Sequence, residues 1–159
     1  KGAGKEAKLC FAEHVLMENR NGLIVDMLVA PAVGVTEPEA ALELLTRALP
    51  TGRITVGADK GYDTKDFVRE CRGMDMTAHV AQHINARRSS AVDGHITRHA
   101  GYAVSQVVRR RIESIFGWMK TVGGCRKSRY RGVERTGFFA MMAGAAFNLL
   151  RMARLLTPA

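Results

Sequence analysis

Residues 109–120, RRRIESIFGWMK, place three arginines just ahead of a single glutamate, Glu113, and Lys120 follows seven residues later. A solvated helix more often alternates its signs, because like charges one turn apart repel. At 100° per residue, Gln106, Arg109, Glu113 and Lys120 fall within about 60° of one another. They lie largely opposite an apolar stripe of Val104, Val108, Ile112, Ile115, Met119 and Val122. Two cations flanking one carboxylate suit a phosphate backbone laid along the helix, with the carboxylate left for a metal ion. The ordinary alternative is an Arg109–Glu113 surface pair contributing about 0.2–0.5 kcal/mol. That alternative leaves Arg110, Arg111, Lys120 and the basic stretch RKSRYR at 126–131 without a role.

Asp59 is the second candidate carboxylate. It ends RITVGAD (53–59), a β-branched run that reads as a buried strand, and KGYD follows it. Open α/β folds place their sites at the carboxyl ends of strands. Mg²⁺ accepts one or two protein carboxylates and completes its shell with water and phosphate oxygens, so Asp59 and Glu113 could share one ion. Taken alone, Asp59 is equally a turn-initiating aspartate.

The elements that must hold these residues follow from turn and period signals. AKLCFAEHVLME (7–18) and LIVDMLVAP (23–31) flank Asn21-Gly22, a hairpin signal. Residues 36–49 read as a helix with Thr36 as N-cap and Glu39 completing a capping box. The strand 53–59 leads to a short helix at 64–72 and a strand at 76–81. Residues 82–101 read as a loop, 102–122 as one long helix, and 137–156 as a second helix closing the chain. The order β-β-α-β-α-β-loop-α-α indicates one mixed sheet covered by helices, within a single domain. Such a sheet has no obvious central strand, and a strand before residue 7 would supply one.

Charge points to the partner. Of the net +9, residues 109–135 alone carry +7, from nine Lys/Arg against Glu113 and Glu134. A block of this kind predicts nucleic acid ahead of an acidic membrane. Cys10, Cys71 and Cys125 form no CxxC, which argues against a disulfide framework or zinc knuckle and fits a reducing cytoplasm. No signal peptide is evident, and no uninterrupted apolar run reads as a membrane span. The chain starts at Lys1 in a polar stretch, as if entered midway.

With these residues in place, the chain resembles the C-terminal part of the catalytic domain of bacterial insertion-sequence transposases of the DDE type. Asp59 in ADKGYD matches that family's second aspartate. Arg109, Glu113 and Lys120 match its Y-x2-R-x3-E-x6-K signature, with Gln106 where tyrosine is usual. The resemblance covers the whole chain, 1–159, and implies a ribonuclease-H-like mixed sheet flanked by helices. The family's first aspartate lies on a central first strand, and no aspartate precedes the hairpin here. The expectation is therefore a partial domain lacking that strand and one metal ligand, inactive by itself. By resemblance, the complete enzyme holds Mg²⁺ (or Mn²⁺) between that aspartate, Asp59 and Glu113. It hydrolyses phosphodiesters and transfers strands at transposon ends and target DNA, as a cytoplasmic protein with a homodimer allowed. Arg109, Arg110, Lys120, Arg126, Lys127, Arg129 and Arg131 would bind double-stranded DNA. The alternatives are a non-catalytic DNA-binding remnant and a metal-dependent nuclease of the same fold.

Other features carry blander readings. His79/His83 and His95/His99 have the spacing of a zinc pair on a helix, but each falls on a strand end or loop. RRSS (87–90) reads as a DNA-proximal loop, and Trp118 as a packing residue more than a base-stacking one. Met141, Met142 and Met152 of the last helix read as core.

Overall fold

Among the described residues, two short sheets of two strands each form the centre of the fold, and helices flank them. The structure, a computed structural model, describes residues 10–48, 52–85 and 89–157. Strands β1 (Phe11–Met17) and β2 (Ile24–Pro31) pair antiparallel. Their turn bears Gly22 at φ +73°, the left-handed conformation that the Asn-Gly pair favours. Glu18 clamps this turn, accepting from the backbone N–H groups of Arg20, Asn21 and Leu23. Burial pushes the Glu18 carboxyl up, but those N–H groups outweigh it and hold the carboxyl below its ordinary value.

Helix α1 (Glu37–Ala48) opens with the expected capping box, in which Thr36 N–H donates to Glu39 and Glu39 N–H to the Thr36 hydroxyl. Strand β3 (Ile54–Ala58), helix α2 (Lys65–Gly73) and strand β4 (Met76–Val80) form a βαβ unit with parallel strands. Thr64 caps α2 by accepting from Phe67 N–H. Helix α3 (Gly94–Thr97), α4 (Ala100–Val108), α5 (Ile112–Thr121) and α6 (Val133–Leu156) complete the chain.

Several expectations change. The strands do not join into one mixed sheet, because β1 and β3 share no ladder. Their outer edges, unpaired among the described residues, instead face a cleft of about 500 Å³, roofed by Leu44 and Leu45 of α1 and floored by Ile112 and Phe116 of α5. Within it, His14 Nε2 is buried without a hydrogen-bond partner. The expected helix 102–122 is broken by a 3-10 turn at Arg109–Arg111. The tighter turn rotates the two halves relative to one another, so one stripe no longer serves both. Ser105 is buried and Val104 and Val122 are exposed, while Ile115 and Met119 are fully buried. The expected loop 82–101 contains α3, capped by Asp93, and the start of α4. Residues 7–9 of the expected first strand and Arg87 and Arg88 of RRSS lie outside the described residues.

Helix α6 lies on β2 by a ridge of small residues. A Cβ on Gly144 would meet the Met27 Sδ at 2.5 Å, so the glycine lets α6 lie this close without displacing that side chain. The Asn148 carboxamide extends the contact by donating to Ile24 C=O and accepting from Ile24 N–H, both at 2.8 Å, as a neighbouring strand would. Asn148→Leu should cost about 2 kcal/mol by orphaning both groups, read as a lower midpoint in urea unfolding. The methionines expected in the core are on the outside: Met141, Met142 and Met152 are all exposed. By length and composition alone α6 would pass for a membrane span, at 24 residues containing an 18-residue window of mean hydropathy 1.3. Its uncharged run extends only over 136–150, between Arg135 and Arg151, so it is not an uninterrupted apolar run of spanning length.

Candidate functional site

Strand β3 delivers Asp59 at its carboxyl end, as its β-branched run implies. The 3-10 turn between α4 and α5 delivers Arg109. A Cβ on Gly57 would lie 3.4 Å from the Arg109 Cβ and 3.7 Å from the Ser105 carbonyl, ordinary van der Waals separations, so the end of α4 packs directly on β3. The consequence is a direct ion pair and hydrogen bond from Arg109 Nη1 to Asp59 Oδ1. Asp59 is mostly exposed and Arg109 mostly covered. Behind them runs a relay of hydrogen bonds. Arg109 Nε donates to Gln106 Oε1 at 3.0 Å, and Gln106 Nε2 donates to the His79 carbonyl at 2.9 Å. Gln106 thus ties the arginine to the end of β4.

Arg109 therefore does not pair with Glu113. Among the described residues no hydrogen bond or ion pair joins Glu113 to Asp59 or Arg109, and Glu113 stands exposed on the first turn of α5. No group of three His, Cys, Asp or Glu side chains that could hold a metal occurs among the described residues. Asp59 and Glu113 are still the donor type that Mg²⁺ or Mn²⁺ prefers, hard carboxylate oxygens. They fit such an ion in kind, and a third carboxylate is what the described residues lack.

Lys120, one helix face further on, is exposed opposite Glu13 of β1. Burial pushes the Glu13 carboxyl above its ordinary value, against the Cys125 thiol and the Lys120 charge, which favour its ionised form. Cys125 is itself pushed up to about 11, by burial and by Glu13. Arg110 is exposed beside the 3-10 turn, and Arg111 donates to the Asn19 carbonyl. Arg126, Lys127, Arg129 and Arg131 are all exposed and form no ion pair among the described residues. Ser128 Oγ–H donates to Tyr130 C=O and Thr136 Oγ1–H to Gly132 C=O, shaping this loop without using its charges. Trp118 packs edge-on against Phe147, which agrees with a packing role.

Two residues near the site have structural roles that the sequence did not signal. Asp63, four residues past Asp59, is fully buried and accepts from the backbone N–H groups of His83 at 2.6 Å and Ala91 at 2.8 Å. It ties the segment after β4 to the turn after β3. His79, a candidate zinc ligand by spacing, is a core residue whose Nδ1 lies 2.7 Å from Ser105 Oγ. Burial, then the nearby His99 charge, lowers its pKa, while a backbone contact at Gly101 opposes them. A depressed folded-state pKa means stability is complete above the unfolded histidine value of about 6.5 and is lost as pH falls below it. Thermal unfolding at pH 7.5 and 5.5 should show that loss, and His79→Phe combined with Ser105→Ala should shrink it.

Comparison with known proteins adds one finding. The family model described as Transposase DDE domain matches residues 1–149. No curated protein and no solved structure matches.

Proposed function

Because the chain belongs to the transposase DDE domain family, we propose that it supplies the Asp59 and Glu113 side of a catalytic domain that cuts and joins DNA at transposon ends. The observation that carries this is Asp59 at the strand end, held by an arginine whose own position is set by Gln106 and the β4 backbone. A surface ion pair needs no such backing.

The open cleft supports the reading that the complete domain is a ribonuclease-H-like mixed sheet. One extended segment entering between β1 and β3 would pair with both free edges and be covered by α1 on one face and α5 on the other. Asp59 lines the same cleft, so a carboxylate on that segment would arrive beside it. Asp59, Glu113 and that third carboxylate would hold Mg²⁺ or Mn²⁺. Bound there, the ions would make water, and later a 3′-hydroxyl, a competent nucleophile for in-line attack and would ease departure of the leaving oxygen.

The chain's own residues do the rest. Gln106 holds the Nε side of Arg109, leaving its outer nitrogens able to exchange Asp59 for a phosphate oxygen. Arg110, Lys120 and the 126–131 loop would hold the backbone on either side of the scissile bond, and the setting for such chemistry is the cytoplasm.

The test is a chain extended by an aspartate-bearing strand that pairs with β1 and β3, given labelled duplex DNA and Mg²⁺. Cleavage followed by joining to a second duplex is expected. Cleavage without joining would identify a nuclease of the same fold. Binding without cleavage would identify a DNA-binding remnant.

A further inference from the structure

The Asp59–Arg109 pair is fixed from one side only. Gln106 holds Arg109 at Nε and is tied in turn to the His79 carbonyl, and the arginine side chain is 20% exposed. The Asp59 side chain is 73% exposed, and among the described residues its carboxylate has no hydrogen-bond or ion-pair partner but Arg109. It does not cap the 3-10 turn Lys60–Tyr62 that it opens, the ordinary use of an aspartate there. A rotation of the Asp59 side chain therefore breaks the pair and leaves the guanidinium where it stands. Both residues line the cleft between the sheets, so the guanidinium stays within reach of an anion entering it.

We propose that Arg109 gates Asp59: it occupies the carboxylate while no DNA is present, so that metal binding at Asp59 waits on a phosphate that takes the guanidinium over. The gate rests on the reading of Asp59 as a metal ligand and adds a control to it. Two physical facts set its sign. A carboxylate oxygen that accepts a charge-assisted hydrogen bond has less to offer a cation, and a divalent cation bound there faces the guanidinium charge. A phosphodiester oxygen removes both obstacles, because it neutralises Arg109 and draws its Nη groups off Asp59. By linkage, phosphate and metal each raise the affinity for the other. An arginine that only oriented Asp59 for a metal would help metal binding instead, so the two roles differ in sign. Lys60 supplies the control, being exposed, adjacent to Asp59 in sequence and not paired with it.

The test is Mn²⁺ binding to the 159-residue chain at constant ionic strength without DNA, read from the electron paramagnetic resonance of free Mn²⁺. Arg109→Gln should tighten binding roughly fivefold. Arg109→Lys, which keeps the charge but loses the Nε tie, should tighten it by less. Lys60→Gln, which removes an equal but unpaired charge, should change it by under about twofold. With a short duplex present, followed by fluorescence anisotropy, added Mn²⁺ should weaken DNA binding more for Arg109→Gln than for the parent. The reason is that counterion competition is no longer offset by the coupling. If Arg109→Gln loses the parent's far-UV spectrum, Arg109→Lys decides the sign. Unchanged or weaker Mn²⁺ binding by the Arg109 variants, or an equal gain from Lys60→Gln, would overturn the gate. Should adding Asp59→Asn to Arg109→Gln leave the Mn²⁺ affinity unchanged, Asp59 is no metal ligand, and the functional reading falls with the gate. Absence of Mn²⁺ binding by every one of these chains would do the same.

Discussion

Glu113→Gln is expected to abolish Mg²⁺-dependent DNA cleavage by the strand-completed chain while leaving DNA binding intact or slightly tighter. Glutamine keeps the size and hydrogen-bonding reach of glutamate but removes the charge that a divalent cation requires. Glu113 is exposed and has no partner in an ion pair among the described residues, so the substitution leaves packing alone. Removing a negative charge from a face bearing Arg110 and Lys120 also relieves repulsion toward phosphate, hence the direction of the binding change. The measurements are nicking rate and fluorescence anisotropy on one duplex, with thermal unfolding as the control for folding. Parental cleavage by the Gln variant would reduce Glu113 to a surface charge, and the metal-site reading would fall with it. Asp59→Asn should behave alike for cleavage. It differs in releasing Arg109, so tighter binding is expected there more strongly than for Glu113→Gln.

The second large effect concerns the 126–131 loop. Replacing Arg126, Lys127, Arg129 and Arg131 together by Ala should weaken DNA binding by on the order of 100-fold at moderate salt, through lost counterion release. Each phosphate contact contributes about 0.9 to the slope of log K against log salt, so the slope should become shallower by roughly 3 to 4. The four side chains are exposed, and the loop is shaped by Ser128 and Thr136 instead, so its conformation should survive. An unchanged slope would move the DNA track elsewhere, Arg110 and Lys120 being the next cations on the surface.

Whatever rests on contacts within a few residues was legible in the sequence. The Asn21-Gly22 hairpin, the Thr36–Glu39 capping box and the strand leading into Asp59 all stand where their local chemistry put them. The reason is that a turn conformation or a cap satisfies its hydrogen bonds within about five residues, and residue type alone decides it. The family resemblance was legible for a similar reason, because its Arg109–Glu113–Lys120 spacing lies along one stretch of chain.

Contacts between distant segments were decided only by the tertiary structure. Arg109 had two possible carboxylates, Glu113 four residues away and Asp59 fifty residues away. The packing of the end of α4 on β3 settled the choice. Gln106 looked like a lost tyrosine until the His79 carbonyl came within its reach. Asp63 ties two segments together only because the fold buries it and brings the backbone of His83 and Ala91 to it. The break at Arg109–Arg111 escaped the helical wheel, because a wheel assumes one uniform twist and a 3-10 turn changes it. The division into two sheets depends on which edges meet, and alternation along a strand says nothing about that. Helix α6 states the division most plainly: that residues 137–156 form a helix was legible, but which face would lie on β2 was chosen by Asn148 and the surface of β2 it fits, and the methionines read as core stand outside.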